Sequence, residues 1–318
     1  MTNQTPSISP RNPDFDDDLA VWNDDYSGRY KPIDYGQQFD DQWRLFLEGK
    51  RGFRDHTGVE TADPYIDDRI FELTGIKGVL ERRKLGPLYP VVSKLRRLAD
   101  RERRRDVGGR LYLAPKFPID YFDGKRCLDI GCGPGRWTKT LMALGAKVVS
   151  VDVSEHALRS TKRFNRDAFR LDIFDIPARP DMQQVFDFTL CWGVVMCTHD
   201  PKRAFANVAS TVKPGGSLYT MVYAPTYHAS EFVRGMRRKF HRDHRTAEEK
   251  IAFVFEIAQD PDNAINYMDM LNTFYNWTIP ESVVHQWFLD AGFDNIVTLN
   301  KEEKENAAWH VLGQRKRS

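Results

Sequence analysis

A hydrophobic run that ends in three closely spaced glycines constrains the fold of this chain more than any other feature. The segment CLDIGCGPGR, residues 127–136, places Gly131, Gly133 and Gly135 after an apolar run and before a helical pattern. Glycine is needed where the backbone turns sharply or where a ligand approaches more closely than a Cβ atom permits. The N–H groups of such a loop, with the helix N-terminus behind it, favour a bound carboxylate or phosphate. Tight turns without ligands also use glycine, so the loop alone is compatible with a structural role.

The region from residue 125 onward alternates short β-rich runs with helical runs. This alternation is typical of an α/β fold with a parallel, doubly wound, Rossmann-like sheet that helices cover on both faces. The last two strands have no helix between them, so we expect an antiparallel hairpin at one edge. Seven strands are predicted, at 126–130, 147–151, 169–172, 186–191, 217–223, 296–299 and 309–312, with helices at 136–144, 154–164, 201–212 and 280–291.

Acidic residues follow the predicted strands where they can face the same crevice as the glycine loop. Asp152 ends the second strand, 23 positions after Asp129, where a carboxylate accepts hydrogen bonds from ribose hydroxyls. Asp172 ends the third strand. The loop reads GxGxG and not the GxGxxG of dinucleotide folds, and Asp129 would repel a pyrophosphate. A cationic ligand that carries an amine is therefore a better match than a dinucleotide.

Together these motifs resemble those of class I S-adenosylmethionine-dependent methyltransferases, in a branch that acts on small molecules. The resemblance covers residues 125–224 and implies a seven-stranded methyltransferase sheet with S-adenosylmethionine as cofactor. YGQQFDDQW at 35–43 and TIPESVVHQWFLDAGFDNI at 278–296 resemble the same branch. The motifs that carry the resemblance are LDIGCGPG at 128–135, VVSVDVS at 148–154, DIFDIP at 172–177, FDFTLCWGVVMCTHDP at 186–201 and VKPGG at 212–216.

The resemblance implies a role for each residue of the loop and of the strand ends beside it. Gly131, Gly133 and Gly135 would pass close to the methionine part of the cofactor. Asp129 would hold its amino group, directly or through water, and Asp152 would accept its ribose hydroxyls. The other implied cofactor residues are Asp172 at the adenine amine, Ile173 near the ring through its backbone, Cys191, Trp192 and Gly193 near the methyl group, and Cys132 and Val153.

Candidates for a catalytic base are residues that follow the carboxyl ends of strands. Methyl transfer from a sulfonium is an in-line displacement, so holding the acceptor on axis supplies most of the rate, and a hydroxyl acceptor also gains from a general base. Met196-Cys197-Thr198-His199 stands where many relatives carry His-His-Thr-Pro, so no role of those two histidines is transferred. His199 is the first candidate, followed by Tyr223, His228 and Tyr227, each of which can also be an ordinary loop or partly buried residue.

The chain is predicted to consist of a mostly helical N-terminal extension, residues 1–124, and a methyltransferase domain, residues 125–318. We expect the extension to cover the active site, because one of its helical faces needs a partner surface. An insert at 225–275, with many aromatic residues and a basic stretch, is predicted to select the substrate. The helical face consists of Phe39, Trp43, Phe46 and Leu47; a second helix at 66–80 turns Ile66, Ile70, Leu73 and Val79 inward, and Trp22, Tyr26 and Tyr30 dock onto the body.

Charge and cysteine content limit the partners and the compartment. The net charge of 47 − 45 = +2 argues against a whole-protein polycation, although residues 82–110 and 234–245 are locally basic. We expect no nucleic-acid partner, no membrane span and no metal. The cysteines at 127, 132, 191 and 197 lie in apolar contexts and form no CxxC, so they are interpreted as reduced core residues of a cytoplasmic protein.

The predicted function is methyl transfer from S-adenosylmethionine to a small molecule, with oxygen as the favoured acceptor atom on a sugar, a lipid or a secondary metabolite. An apolar lid beside a cationic rim would suit a phosphorylated, nucleotide-linked or lipid-like acceptor. Two alternatives stay open at this point. One is an RNA or protein methyltransferase that uses the basic stretches 82–110 and 234–245. The other is a cofactor-binding partner subunit that has lost catalysis.

Overall fold

A seven-stranded sheet forms the centre of the fold. The computed structural model of this chain describes residues 21–47, 61–88, 91, 117–226, 231–243, 246–259, 261–300 and 307–317. The strands are β1 (Arg126–Ile130), β2 (Lys147–Asp152), β3 (Ala168–Arg170), β4 (Phe186–Trp192), β5 (Val212–Tyr223), β6 (Phe293–Thr298) and β7 (Ala308–Arg315). Their order is β3-β2-β1-β4-β5-β7-β6.

The direction of the strands confirms the doubly wound prediction. From β3 to β5 every neighbouring pair is parallel, whereas β7 is antiparallel to both β5 and β6. The two final strands therefore form the expected antiparallel pair at one edge, with β7 as the inner strand. Four of the five residues of β1 are buried, as expected of a central parallel strand that is covered on both faces.

Some of the helices flank the sheet, and the others form the N-terminal segment and the insert outside it. Three of them connect consecutive parallel strands, in the arrangement that keeps ligands at the carboxyl edge of the sheet. The α-helices are α1 (Tyr35–Leu47), α2 (Asp63–Thr74), α3 (Val79–Leu85), α4 (Arg136–Ala143), α5 (Glu155–Thr161), α6 (Pro201–Ala209), α7 (Glu231–Arg242), α8 (Ala247–Ala258), α9 (Pro261–Asn272) and α10 (Glu281–Asp290).

Several predicted strand boundaries differ from the structure: β6 begins at Phe293 and not at 296, and β7 continues to Arg315 and not to 312. Strand β5 begins at Val212, five positions before the predicted start, because the VKPGG segment is extended and Val212 pairs with Phe186. The helix before it correspondingly ends at Ala209. Strand β3 ends at Arg170, since the side chain of Asp172 caps a short 3-10 helix and not a strand end.

The N-terminal segment shares its apolar core with the sheet. Ile66, Ile70 and Leu73 of α2 are buried in the same cluster as Trp137 and Phe188. The single helix predicted at 66–80 is in fact two helices, because Gly75 ends α2 in a left-handed conformation with φ of 71°. Val79 is buried as predicted, but on α3.

The aromatic residues near the start of the described chain pack where the sequence predicted. Trp22 is 1% exposed, and its ring contacts that of Trp277 with centroids 5.1 Å apart. Tyr30 packs against the same tryptophan at 5.1 Å. The backbone N–H of Trp22 donates to the carbonyl of Thr278 at 2.7 Å, so this segment is fixed to the body by both rings and backbone.

The insert forms a helical unit with a buried cluster of its own. Helices α7, α8 and α9 bury Phe240, Val254 and Leu271 against one another. The four cysteines are free and buried, as predicted for core residues. None of the helices in the described ranges combines the length and the apolar composition needed to cross a membrane.

Replacement of Ile70 by alanine tests whether the N-terminal segment belongs to the shared core. Ile70 is fully buried, so Ile70→Ala should lower the free energy of unfolding by about 2–5 kcal/mol in urea denaturation. Ile119→Ala is the control, because that side chain is 38% exposed and its loss should change stability by about 0.5 kcal/mol at most. Equal, small effects of the two substitutions would show that α2 packs only loosely on the domain.

Candidate active site

A cavity of about 560 Å³ lies at the carboxyl ends of the parallel strands. One wall comes from the loops after β1, β2, β3 and β4 and from the end of β5, and another comes from α1, α2 and the α9 region. Its position is the one where doubly wound sheets bind ligands. The residues that line it include Tyr35, Phe39, Gln42, Trp43, Tyr65, Gly131, Cys132, Gly133, Arg136, Trp137, Asp152, Val153, Asp172, Ile173, Trp192, Gly193, Cys197, Thr198, Met221, Tyr223, Asp269 and Thr273.

The glycine loop contributes its backbone to this cavity. Gly133 has φ of 53°, and a Cβ atom placed on it would lie 3.2 Å from the Trp43 ring. Gly135 is not part of the lining, and a Cβ atom there would lie 2.5 Å from Phe164 and 2.7 Å from the Thr161 hydroxyl. The structure thus places Gly131 and Gly133 in the lining, and gives Gly135 a packing role at the start of α4.

Asp152 connects the loop to the end of β2. One of its carboxylate oxygens accepts from the Gly133 N–H at 2.8 Å, and the other accepts from the Ser154 N–H at 2.8 Å. Burial raises the pKa of Asp152 to about 6, and these two hydrogen bonds oppose the increase. A carboxylate offers about four acceptor sites, so Asp152 can still accept from hydroxyls in the cavity.

Asp129 lies below the loop and not in the lining. Its carboxylate accepts from the Thr138 hydroxyl at 2.6 Å, and Thr138 also contacts the Ser150 hydroxyl at 2.8 Å. The Asn165 amide donates to Ser150 at 2.9 Å, so the network continues to the far side of β2. Burial, together with the charge of Asp152, raises the pKa of Asp129 to about 6. Asp129 is therefore held by the protein itself, one layer behind the cavity.

The loop after β3 contributes two of the predicted residues. Asp172 accepts from the Phe174 N–H at 2.9 Å and lines the cavity. Burial raises the pKa of this carboxylate above its usual value. Ile173 lies beside it and is 6% exposed, so its contact with the cavity is apolar.

The end of β4 brings a different cysteine to the cavity from the one predicted. Cys191 is fully buried in the core, whereas Cys197 lines the cavity beside Trp192 and Gly193. The Trp192 ring packs on the Trp137 ring with centroids 4.8 Å apart. Cys191 lies within β4, whereas Cys197 belongs to the short 3-10 helix Val195–Cys197 that follows the strand.

His199 contacts the cavity through Tyr35. The backbone N–H of His199 donates to the Tyr35 hydroxyl at 2.7 Å, and the Nδ1 atom of the His199 ring lies 2.8 Å from the same oxygen. Burial raises the pKa of Tyr35 and lowers the pKa of His199, so the phenol is protonated and the imidazole is neutral at pH 7. Tyr223 lines the cavity directly, whereas Tyr227 and His228 lie outside the described residues.

Several lining residues were missed in the sequence. The apolar face predicted on the first helix begins one turn earlier than expected, so Tyr35, Phe39 and Trp43 face the cavity together with Gln42. The side chains of Phe46 and Leu47 lie outside the description. Asp269, from α9, carried no sequence signal, because a single acidic residue in an amphipathic helix is normally solvated.

Comparison with known proteins agrees with this geometry. A family model described as a methyltransferase domain matches residues 94–298, which is more than half of the chain. The chain belongs to the methyltransferase family. Membership confirms the predicted family, the class of enzyme and S-adenosylmethionine as the cofactor of this methyltransferase.

Curated relatives of the methyltransferase align with about a third of it. The ubiquinone biosynthesis O-methyltransferase of Coxiella burnetii is 35% identical over 100 residues, which cover 30% of this chain and 42% of the relative. The enzyme of the same name from Aromatoleum aromaticum is 32% identical over 108 residues, or 30% of this chain and 43% of that one. The methyltransferase therefore spans less than half the length of the curated relatives that it matches.

The solved structures that align with this chain are more distant in sequence. A possible histamine N-methyltransferase from Thermotoga maritima is 17% identical, with a TM-score of 0.40 over 60% of this chain and 82% of that chain. A methyltransferase from Archaeoglobus fulgidus is 12% identical, with a TM-score of 0.42 over 74% and 98% of the two chains.

Replacement of Gly133 by alanine tests the close approach of the cofactor to the loop. The added methyl group would lie between the loop and Trp43, so Gly133→Ala should weaken S-adenosylhomocysteine binding at least tenfold in calorimetry. Gly124→Ala is the matched control, because its φ is 68° and a Cβ atom there meets nothing within 4 Å. Both variants carry a left-handed backbone cost of about 1–2 kcal/mol. Equal affinity in the two variants would separate the loop from the binding site.

Replacement of Asp152 by alanine tests the second anchor of the cofactor. The variant should weaken S-adenosylhomocysteine binding about 10- to 150-fold, the value of a charge-assisted hydrogen bond of about 1.5–3 kcal/mol. Asp187→Ala serves as control, since that carboxylate also accepts a backbone N–H, from Arg126 at 2.9 Å, but outside the cavity lining. Unchanged affinity in Asp152→Ala would contradict the assigned role.

Proposed function

We propose that this methyltransferase transfers a methyl group from S-adenosylmethionine to a hydroxyl group of a small molecule bound in the cavity. One observation carries the proposal: a single cavity of about 560 Å³ joins the glycine loop and Asp152 to the ends of β4 and β5. A cofactor on the first pair of elements would thus share the cavity with an acceptor at the second. The curated relatives, which are named as O-methyltransferases, support oxygen as the acceptor atom.

The residues of the cavity fit the cofactor. Trp137 lines the cavity, and its buried Nε1 donor has no hydrogen-bond partner among the described residues, so it can donate to a carboxylate. Asp152 would accept the ribose hydroxyls, and Asp172 would accept from the adenine amine. When bound, S-adenosylmethionine supplies an electrophilic methyl group on a sulfonium. The protein would contribute orientation and a cavity wall made mostly of apolar and aromatic side chains.

The N-terminal extension and the insert would close this site. Trp43 of α1 lies against Gly133 of the loop, and Gln42 of the same helix contacts Asp269 of α9. Both helices lie outside the sheet, so a ligand in the cavity would be held between them and the strand ends. We therefore retain residues 1–124 as a cover for the active site and 225–275 as the substrate-selecting insert.

Tyr35 and His199 would accept the proton that an acceptor hydroxyl loses. Tyr35 lines the cavity, and Nδ1 of the neutral His199 imidazole lies 2.8 Å from its phenol oxygen. A proton arriving at the Tyr35 oxygen could be matched by transfer of the phenol proton to Nδ1 of His199. His199 would then act through Tyr35, which takes the place next to the acceptor.

Part of the second basic stretch is structural. Arg237 is 8% exposed and donates to the carbonyls of Met270 and Thr273, while His241 bonds to the carbonyl of Leu271. These two groups hold the insert together, whereas Lys239 and Arg242 of the same stretch are exposed, so the labelling experiment below decides between a small molecule and RNA or protein. Most of the first basic stretch, 82–110, lies outside the described residues. A cytoplasmic location stays part of the proposal and is supported by four reduced cysteines.

Transfer of labelled methyl groups tests the proposal. The protein is incubated with methyl-labelled S-adenosylmethionine and an extract that contains metabolites, RNA and protein, and the fractions are then separated. The proposal predicts label in an alkali-stable small-molecule ether. Label in RNA or protein would contradict it, and binding of the cofactor without any transfer would favour a catalytically inactive subunit.

Substitutions at Tyr35 and His199 test the proton pathway. Tyr35→Phe and His199→Ala should each lower kcat by about 10²- to 10⁴-fold with cofactor affinity unchanged. Tyr121→Phe is the control, since its hydroxyl contacts Ser217 outside the cavity lining.

The pH dependence of kcat provides a second readout. Burial lowers the pKa of His199 below 6.5, so the ring stays neutral at pH 6.5, and kcat should fall only at more acidic pH. The same shift means that stability declines as pH falls below 6.5, because the unfolded chain binds the proton more readily than the folded one. Loss of the acidic limb in His199→Ala would support the pathway, whereas the same limb in that variant would contradict it.

A further inference from the structure

The wall formed by α1 and α9 carries a carboxylate that the assigned cofactor residues do not include. Oδ1 of Asp269 accepts from Nε2 of Gln42 at 3.0 Å. The Oε1 atom of Gln42 accepts in turn from the Asn272 amide at 3.2 Å. Gln42 is 1% exposed, so these two contacts fix the orientation of its amide, with the donor toward Asp269. The carboxylate is thereby held in one position.

A second polar residue lies four positions beyond it, directly after the end of α9. Thr273 lines the same cavity and is 5% exposed, and its buried hydroxyl has no hydrogen-bond partner among the described residues. The backbone here is rigid, because Arg237 donates to the carbonyls of Thr273 at 2.8 Å and of Met270 at 2.7 Å. Asp269 and Thr273 are therefore held in fixed positions at the end of α9.

Asp269 keeps a free acceptor atom. Its side chain is exposed and belongs to the cavity lining, although protein atoms also surround it. Its second oxygen, Oδ2, has no hydrogen bond to the described residues. Burial raises the pKa of Asp269, and the Gln42 hydrogen bond and the charge of Arg136 oppose that increase. A carboxylate in this position accepts hydrogen bonds and attracts cations, and it repels phosphate.

We propose, building on the methyl transfer proposed above, that Asp269, Gln42 and Thr273 form a subsite that binds a hydroxyl or ammonium group of the methyl acceptor. The subsite would accept a hydrogen bond from that group, and it would exclude methyl acceptors that carry a phosphate at that end. Phe39, Trp43 and Tyr65 line the same side of the cavity and would contact the apolar body of the acceptor. The phosphorylated methyl acceptor considered from the sequence is thus replaced by a methyl acceptor that carries a neutral or cationic hydrogen-bond donor.

A series of ligands with one ring and three head groups tests the subsite. Benzyl alcohol, benzylammonium and benzyl phosphate are titrated into the full chain, alone and loaded with S-adenosylhomocysteine. Binding is followed by tryptophan fluorescence, because Trp43, Trp137 and Trp192 line the cavity. The alcohol, the ammonium ion or both should bind the native protein, with benzyl phosphate at least tenfold weaker.

Asp269→Asn isolates the charge without changing the size of the side chain. It should weaken benzylammonium at least tenfold and remove the discrimination against benzyl phosphate, while S-adenosylhomocysteine affinity stays within twofold. Thr273→Val is a second variant of equal size and should weaken benzyl alcohol severalfold. Asp120→Asn removes an exposed carboxylate outside the lining and should change none of these affinities.

The outcomes separate this inference from the proposal on which it rests. Unchanged binding of all three ligands in Asp269→Asn, or tighter binding of benzyl phosphate than of the other two by the native protein, overturns the subsite. Failure of S-adenosylhomocysteine to bind overturns the proposed function. The titrations without S-adenosylhomocysteine then still decide whether the subsite exists.

Discussion

The hydrogen bond between the Gly133 N–H and the Asp152 carboxylate is the contact on which the site depends. It joins the loop after β1 to the end of β2 at 2.8 Å, and it fixes the backbone that lies against Trp43. The second oxygen of Asp152 is held by Ser154, whose hydroxyl in turn donates to Asp40 of α1 at 2.7 Å. The loop, the second strand and the N-terminal helix therefore share one polar connection. Disorder at any of these positions would therefore alter the structure of the cavity wall.

This arrangement lowers the stability of the folded protein, because it buries two carboxylates. Burial raises the pKa values of Asp129 and Asp152 to about 6, well above the usual value of 3.8. A raised pKa in the folded state means that the protonated form is favoured there, so stability is lost as pH rises from about 4 to above 6. The Thr138 and Gly133 donors offset part of this cost. A cofactor with a positive charge would offset more, which is consistent with a site that is optimised for its ligand and not for the ligand-free state.

Sequence reasoning captured the sheet and the loop because they depend on local patterns. Strand runs, the glycine spacing and Asp152 follow from periodicity and from the geometry of doubly wound folds. The sequence did not predict the residues whose place in the cavity depends on tertiary contacts. Cys197 and not Cys191 reaches the cavity, since Cys191 is inside β4 and Cys197 is carried by the 3-10 helix that follows the strand. Tyr35 and His199 are 164 positions apart in the sequence, so only the folded structure shows that they are in contact. Asp269 became informative only through its contact with Gln42, which lies 227 positions away in the sequence.

We propose that α1 and α9 close a cofactor site whose floor is the glycine loop. Hydrogen–deuterium exchange of the full chain, with and without S-adenosylhomocysteine, measures this closure. We expect slower exchange in 131–136 and, at the same ligand concentration, in 35–43 and 267–273. Protection confined to the loop and to β2, with α1 and α9 unchanged, would show that these helices do not form a wall of the site.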